Sequence, residues 1–272
     1  MRCNPYLKWL AGFALLAFGC AAAASAQELV SFKAGDATLQ AALYKPAGAG
    51  PFPAIVALHG CAGIGRDATR PSRRHADWGE RLAAQGFAVL MPDSFGSRGL
   101  GSQCSVRERS VTPGGLRSAD AIAARAWLAA QSFTRAGAIN LLGWSNGGST
   151  VLQLLWRADA GGFARAAAFY PGCRVVLERG GWQPVIPTLI LIGEADDWTP
   201  AAPCKALAQS AGAMVTYIAY EGAYHGFDDP DSPIRKRDGV AYSGNGSGTV
   251  TQGTDPRARA HSLSLVPAFF GK

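Results

Sequence analysis

Leu141-Leu142-Gly143-Trp144-Ser145-Asn146-Gly147-Gly148-Ser149 decides how this chain is read. An apolar run, Ala138 to Leu142, leads into it, and a helix-compatible stretch, Ser149 to Arg157, leads out. A strand that turns abruptly into a helix, with Gly-x-Ser-x-Gly at the turn, has a mechanical meaning. The serine at the tip is pushed into a strained conformation, so its neighbours must be small, as Gly143 and Gly147 are. The helix beginning after Ser145 aims unpaired N–H groups and its positive dipole end at that tip, where an oxyanion would form. Five-residue patterns recur by chance. The position of this one, between a buried strand and a helix, gives it weight.

The flanking segments extend the same architecture. Upstream, Phe52 to Leu58 and Phe87 to Met91 are continuous apolar runs, the mark of strands covered on both faces of a parallel sheet. Leu29 to Lys33 and Thr38 to Tyr44 read as a hairpin ahead of them. Ser72 to Gln85 reads as a helix stopped by Gly86, and Leu116 to Gln131 as another with Ala119, Ile122, Ala126 and Leu128 on its apolar face. Downstream, Arg165 to Tyr170, Pro187 to Ile192 and Met214 to Tyr220 read as strands, and Ala201 to Ala211 and Pro256 to Phe270 as helices. Strands alternating with helices predict an α/β fold with a mostly parallel central sheet and helices on both faces. Two stretches stand apart. The loop from Asp93 to Pro113 is long enough to expect a function or a tether, with Cys104 as the tether. Asp228 to Asp255, rich in Gly, Ser, Asp and Pro, reads as a mobile surface excursion.

The first 26 residues are read separately. Arg2 and Lys8 make a basic start, Trp9 to Phe18 is a short apolar core, and Ala24-Ser25-Ala26 is a small-x-small cleavage site. The expectation is a signal peptide over 1–26, one domain over 27–272, and an exported, periplasmic or secreted, product. The apolar run is too short to span a bilayer, so no stable membrane insertion is expected after the leader is removed. Ala17-Phe18-Gly19 is a poor approach to a lipid anchor at Cys20. Removing the leader takes away two bases and no acid, and the formal charge falls from +7 to +5. The remaining Lys and Arg are scattered, without the stripe of charge and interleaved aromatics that a nucleic-acid reader carries. No nucleic-acid partner is expected. Four cysteines follow the leader: Cys61, Cys104, Cys173 and Cys204. An even number in an oxidising compartment predicts two disulfides, with three pairings open. None has metal-ligand spacing and the histidines do not cluster with them, so no metal site is expected.

A serine hydroxyl is a poor nucleophile at neutral pH and needs a base, which in turn needs an orienting acid. Both belong in loops at the carboxyl ends of parallel strands, where such sheets build their sites. His225, in the strand-exit sequence His225-Gly226-Phe227, is the expected base; His59 follows an early strand, and His75 and His261 lie on predicted helices. Asp196 is the expected acid in preference to Asp197, because it comes first after the turn at Gly193. Asp197 reads as a surface acid or helix cap. The backbone N–H groups of Asn146 and of Cys61, in His59-Gly60-Cys61, are the expected oxyanion donors. Around them, Arg98 reads equally as a carboxylate-binding or a loop-anchoring residue. Trp144, Trp198 and Tyr224 line an acyl pocket or simply pack the core.

The order Ser145, Asp196, His225 is that of the α/β-hydrolase fold, and the mature chain resembles the dienelactone hydrolase family within it. The matching stretches are His59-Gly60-Cys61, Pro92-Asp93-Ser94-Phe95, Gly143-x-Ser145-x-Gly147-Gly148, Gly193-x-x-Asp196 with Pro200, and His225-Gly226-Phe227. The resemblance implies a catalytic domain of this size, no metal or organic cofactor, and hydrolysis of a small-molecule ester or lactone through an acyl-enzyme. The family's namesake enzymes use cysteine as nucleophile where this chain has Ser145, which points to a broader carboxylesterase activity. The strand order of that fold brings the Cys61 and Cys104 loops together, and likewise those of Cys173 and Cys204, so bridges 61–104 and 173–204 are expected. Two other readings stand beside it: a peptidase or amidase on the same fold, which the absence of a gating domain disfavours, and a non-catalytic exported binding protein, which would not require all three groups.

Overall fold

The computed structural model describes residues 27–271; the expected leader lies outside the described residues. In chain order, β1 (Glu28–Ala34), β2 (Ala37–Tyr44) and β3 (Phe52–Leu58) are followed by a short ribbon of β4 (Gly65–Asp67) and β5 (Arg70–Pro71). Then come α1 (Arg73–Ala84), β6 (Ala88–Pro92), α2 (Leu116–Ala129), β7 (Thr134–Trp144) and α3 (Asn146–Leu154). The second half runs β8 (Ala166–Phe169), α4 (Arg174–Arg179), β9 (Thr188–Gly193), α5 (Ala201–Ala211) and β10 (Val215–Tyr220), closing with β11 (Arg235–Arg237), β12 (Val250–Gln252) and α6 (Pro256–Phe270).

Eight strands form one sheet in the order β1-β2-β6-β3-β7-β8-β9-β10. β1, β2 and β6 pair antiparallel, and every later pairing from β6 to β10 is parallel. The parallel strands are the apolar runs of the sequence: all of β6, β8 and β9 is buried. With helices covering both faces, no side of these strands meets water, which removes the polar alternation of a half-exposed sheet. Both sheet edges show the opposite behaviour: β1 and β10 are only partly covered.

Three expectations change. On α2 the buried residues are Arg117, Ser118, Asp120, Ala121, Ala124 and Leu128; of the face read from the sequence, Leu128 is buried but Ala119 and Ala126 are exposed. The segment from Asp228 to Asp255 is no loose excursion. Its β11–β12 ribbon is pinned by Asp197, whose carboxylate accepts from Thr251 N (2.7 Å) and Thr251 Oγ1 (2.9 Å). Val240 and Val250 are buried beneath it. Asp197 is therefore a strap for this segment rather than a helix cap, because Pro200 takes the cap position of α5 and offers no side-chain acceptor. Finally, β4, β5 and α4 are too short to leave a periodic signal in the sequence. The described residues contain two disulfides, Cys61–Cys104 and Cys173–Cys204. No helix among them is long and apolar enough to cross a membrane.

Candidate active site

Ser145 sits between β7 and α3 with φ 53° and ψ −114°, a backbone conformation that non-glycine residues rarely adopt. Its surroundings over-determine it. A Cβ on Gly143 would collide with the Gly147 carbonyl, and one on Gly147 with the carbonyls of Leu58 and His59. The turn closes only because both are glycine. Ser145 N–H donates to Phe169 O (2.9 Å), anchoring the turn to β8. Local strain held this firmly is typical of a residue whose side chain has to be presented.

The next residue after Phe169, Tyr170, carries the site across to the histidine. It too has a positive φ, 35°, and is held by its N–H on Leu191 O and its hydroxyl on Asp228 Oδ1, both at 2.6 Å. Its ring packs on the His225 imidazole at 4.5 Å between centroids, and Trp198 packs on the same imidazole at 4.6 Å. His225 is thus buried between two aromatic rings, with Nδ1 on Asp196 Oδ2 at 2.8 Å. Asp196 is held in turn by Trp198 N (2.9 Å) and Thr199 N (2.8 Å) on Oδ1, and by Thr199 Oγ1 (3.0 Å) on Oδ2. A carboxylate with this many donors has one orientation. Because it accepts from Nδ1–H, the His225 tautomer leaves Nε2 with its lone pair.

Asp228, three residues after His225, is a second buried carboxylate. It accepts from Trp78 Nε1 and Trp144 Nε1 (each 2.8 Å) as well as from Tyr170. Arg74 Nε lies 3.5 Å from it. Burial pushes the Tyr170 hydroxyl well above its usual value, so it stays protonated and remains a donor to Asp228. Asp228 thereby ties α1, β7 and the end of β8 together next to His225. Its signal in the sequence was only an acid following His-Gly-Phe, next to a second acid, Asp229.

On the other side of Ser145, the loop after β3 lies against that residue: a Cβ on Gly60 would stand 3.5 Å from Ser145 Cβ. Cys61 follows directly. Asn146 is the first residue of α3, where a helix leaves its N–H groups without intrahelical partners. Burial, and then the nearby Arg117 guanidinium, hold His59 well below the usual histidine value. It is a neutral ring: Nε2 accepts from Ser94 N–H (3.2 Å), so the proton sits on Nδ1, 2.8 Å from Gly60 O.

A cavity of about 580 Å³ opens at Ser145; His225 and Asp196 are not among the residues that line it. Ser145, Asn146, Cys61, Trp198 and Thr199 line it, with Tyr242 and Gly244 from the strapped segment and Arg107, Arg109 and Arg174 around the mouth. The loop after β6 and the strapped segment clasp each other there: Ala241 N–H donates to Cys104 O (2.8 Å) and Tyr242 Oη to Arg107 O (2.7 Å).

Of the residues expected to bind substrate, only Trp198 lines the cavity. Arg98 is spent in a bidentate pair with Asp120 (2.8 and 2.7 Å) and a bond to Ser94 O, so it anchors its loop. Trp144 is wholly buried, its ring stacked near Phe169 and its N–H on Asp228, because the strand residue before the turn points into the core. Tyr224 is half-buried and does not line the cavity. Sequence reasoning missed Thr199, Tyr170 and Asp228, which brace His225 and its partner Asp196, and Tyr242, which lay in a stretch read as mobile.

The comparisons with known proteins agree with this fold. A dienelactone hydrolase from Anabaena variabilis superposes with a TM-score of 0.65 at 17% identity, covering 91% of this chain and 98% of that one. A dienelactone hydrolase-like promiscuous phosphotriesterase from metagenomic libraries gives 0.62 at 20% identity, with 91% and 98% covered. The dipeptidyl peptidase 4 of Porphyromonas gingivalis gives 0.63 at 20% identity, with 91% of this chain but 35% of that one covered. These identities speak for the fold alone. The family model is more direct: it matches residues 39–272, and the chain belongs to the dienelactone hydrolase family.

Proposed function

We propose that the protein is an exported serine hydrolase that cleaves small-molecule carboxylic esters or lactones through an acyl-enzyme. In this reading Ser145 Oγ attacks the acyl carbon while His225 Nε2 takes its proton, and the same imidazolium then protonates the departing alkoxide. Asp196 fixes the tautomer and stabilises the imidazolium. The oxyanion of the tetrahedral intermediate faces the N–H groups of Asn146 and Cys61. Water, deprotonated by His225, then releases the acid and restores Ser145.

The observation that carries the reading is the 2.8 Å bond between His225 Nδ1 and Asp196 Oδ2, on loops that the sheet order delivers to the same end as Ser145. The strained φ of Ser145 adds to it. Export is supported by the two disulfides, which persist in oxidising compartments. Hydrolysis of p-nitrophenyl esters from acetate to long acyl chains, by the mature protein and by Ser145→Ala, tests the proposal. Activity abolished in the variant is expected, and activity retained there would remove Ser145 from the mechanism. The peptidase in the fold comparison motivates a second substrate series, aminoacyl p-nitroanilides. Turnover of these in preference to the esters would replace the esterase reading with an amidase one.

A further inference from the structure

Arg117 lies near the amino end of α2 and has no exposed surface. Its ion-pair environment is thin for a buried cation. Asp120, the nearest acid on its own helix, is engaged bidentately by Arg98. The Asp93 carboxylate accepts from Gly96 N–H (2.8 Å). What Arg117 does touch is specific. Nη1 donates to Asn146 Oδ1 at 2.5 Å, Nη2 donates to His59 O at 2.7 Å, and the guanidinium lies 5.0 Å from the Phe95 ring centroid. Nε has no hydrogen-bond partner.

Those two acceptors belong to the two segments that supply the oxyanion donors. Asn146 provides one N–H from the start of α3. His59 opens the loop whose Gly60–Cys61 peptide provides the other, and the carbonyl of that peptide accepts from the His59 ring (2.8 Å). We propose that Arg117 is a positioning residue of the oxyanion site, locking these two segments to one another so that both N–H groups face one point. This rests on the reading of Ser145 as nucleophile.

Two physical arguments favour it. A buried cation with an unmade hydrogen bond is a poor stabiliser, and an apolar side chain of similar length would fill the same volume without the desolvation cost. The guanidinium's value therefore lies in its fork, which fixes two acceptors at a set spacing as no apolar group and no lysine can. The second is electrostatic. Burial pulls the Arg117 guanidinium down to about 9, with the Asp120 carboxylate acting the other way, so it remains a cation at neutral pH. A fixed positive charge behind both donors favours a negative oxygen in front of them.

The test compares wild type with Arg117→Ala, Arg117→Lys and Asn146→Ala, using p-nitrophenyl acetate kinetics and labelling of Ser145 by a fluorophosphonate. Arg117→Ala is expected to lower kcat about 100-fold with KM within about threefold, the size of losing one oxyanion donor. Guanidinium ion at tens of millimolar is expected to restore part of that loss, and Arg117→Lys to restore little. Should Arg117→Ala not fold, Asn146→Ala removes one of the two acceptors with the core untouched, and an accompanying fall in kcat of about tenfold is expected. A rise in KM with kcat unmoved, or a folded Arg117→Ala that guanidinium does not rescue, would overturn the inference. So would unchanged kcat in Asn146→Ala. Wild-type protein that is not labelled at Ser145 would defeat the esterase reading itself, and this inference with it.

Discussion

His225 and His59 both leave the carboxyl ends of parallel strands, and both are buried, at 5% and 1% exposure. Their hydrogen-bond partners differ. His225 faces the Asp196 carboxylate, and its ring is clasped by Tyr170 and Trp198. His59 lies between the Arg117 guanidinium and the Asp93 carboxylate, which is 3.9 Å from Nε2, and spends both nitrogens on backbone, at Ser94 N and Gly60 O. An acidic partner stabilises an imidazolium when one forms, whereas a cationic partner in a desolvated pocket forbids it. One residue type is thus the proposed proton carrier on one side of Ser145 and a neutral hydrogen-bonding strut on the other. What distinguishes the two is the bond each ring makes, to a carboxylate in one and to backbone alone in the other.

The largest expected effect separates the two rings directly. His225→Gln should lower kcat for p-nitrophenyl acetate by about 10⁴-fold or more, since the nucleophile then has no base. His59→Gln should lower it by about 100-fold, the scale of a displaced oxyanion donor, while also costing about 2 kcal/mol of stability in urea unfolding. Equal losses in kcat would erase the distinction between carrier and strut.

Much of this arrangement was legible in the sequence, for physical reasons that also mark where legibility ends. The turn at Ser145 announces itself because only glycine fits at Gly143 and Gly147, and the parallel strands because a strand covered on both faces is apolar throughout. Asp196 and His225 follow from their places at strand ends. Arg117 could not be found this way. α2 opens on Leu116, which is 45% exposed, followed by Arg117, which is wholly buried, so the periodicity that normally tells inside from outside runs backwards there. The strap from Asp197 to Thr251 was hidden for a related reason: it joins residues far apart in sequence through polar bonds, and a stretch rich in Gly and Ser looks loose until its partner is known.

Each half of the site has its own disulfide, which offers a second way to separate them. Cys61–Cys104 closes a sequence separation of 43 and Cys173–Cys204 one of 31. Loop-closure entropy puts the stability lost with either at about 4 kcal/mol. The functional consequences should diverge. In Cys61→Ser/Cys104→Ser the residue bearing a proposed oxyanion N–H is itself released, and kcat should fall under conditions where the protein is still folded. In Cys173→Ser/Cys204→Ser, kcat should hold. Urea unfolding paired with kcat at low denaturant reads both, and equal kcat in the two variants would mean that the bridge adds nothing to the oxyanion loop.

Acid should act on the strut side first. Burial holds His75 down to about 3, and it holds His59 well below 6.5. Both are neutral in the folded state, while the unfolded chain takes up protons near 6.5. Their contribution is therefore complete above that value and is lost as pH falls from 6.5 towards 3. At pH 4.5 the loss is about 2 to 3 kcal/mol for His75, and His59 acts in the same direction. Urea midpoints at pH 7.5 and 4.5 should show the drop, and His75→Gln should flatten it by about one proton's worth of slope. A midpoint indifferent to pH over this range would mean that these rings accept protons in the folded state.

The smallest effect is the most discriminating, because it asks which part of a residue matters. Ser94 supports His59 through its backbone N–H, while its hydroxyl is buried without a hydrogen-bond partner. Thr199, on the opposite side, places its hydroxyl within hydrogen-bond reach of Asp196 Oδ2, Tyr170 O and His225 Nδ1 at 3.0 to 3.1 Å, with one proton to donate to either oxygen. Ser94→Ala removes a polar atom that is already unsatisfied, so stability should change by less than about 0.5 kcal/mol and kcat by less than about twofold. Thr199→Val strands the groups that its hydroxyl served and should lower kcat about tenfold. If Ser94→Ala cost as much as Thr199→Val, the strut side would depend on its side chains as the carrier side does. His59 would then be held by a network still unassigned rather than by the backbone alone.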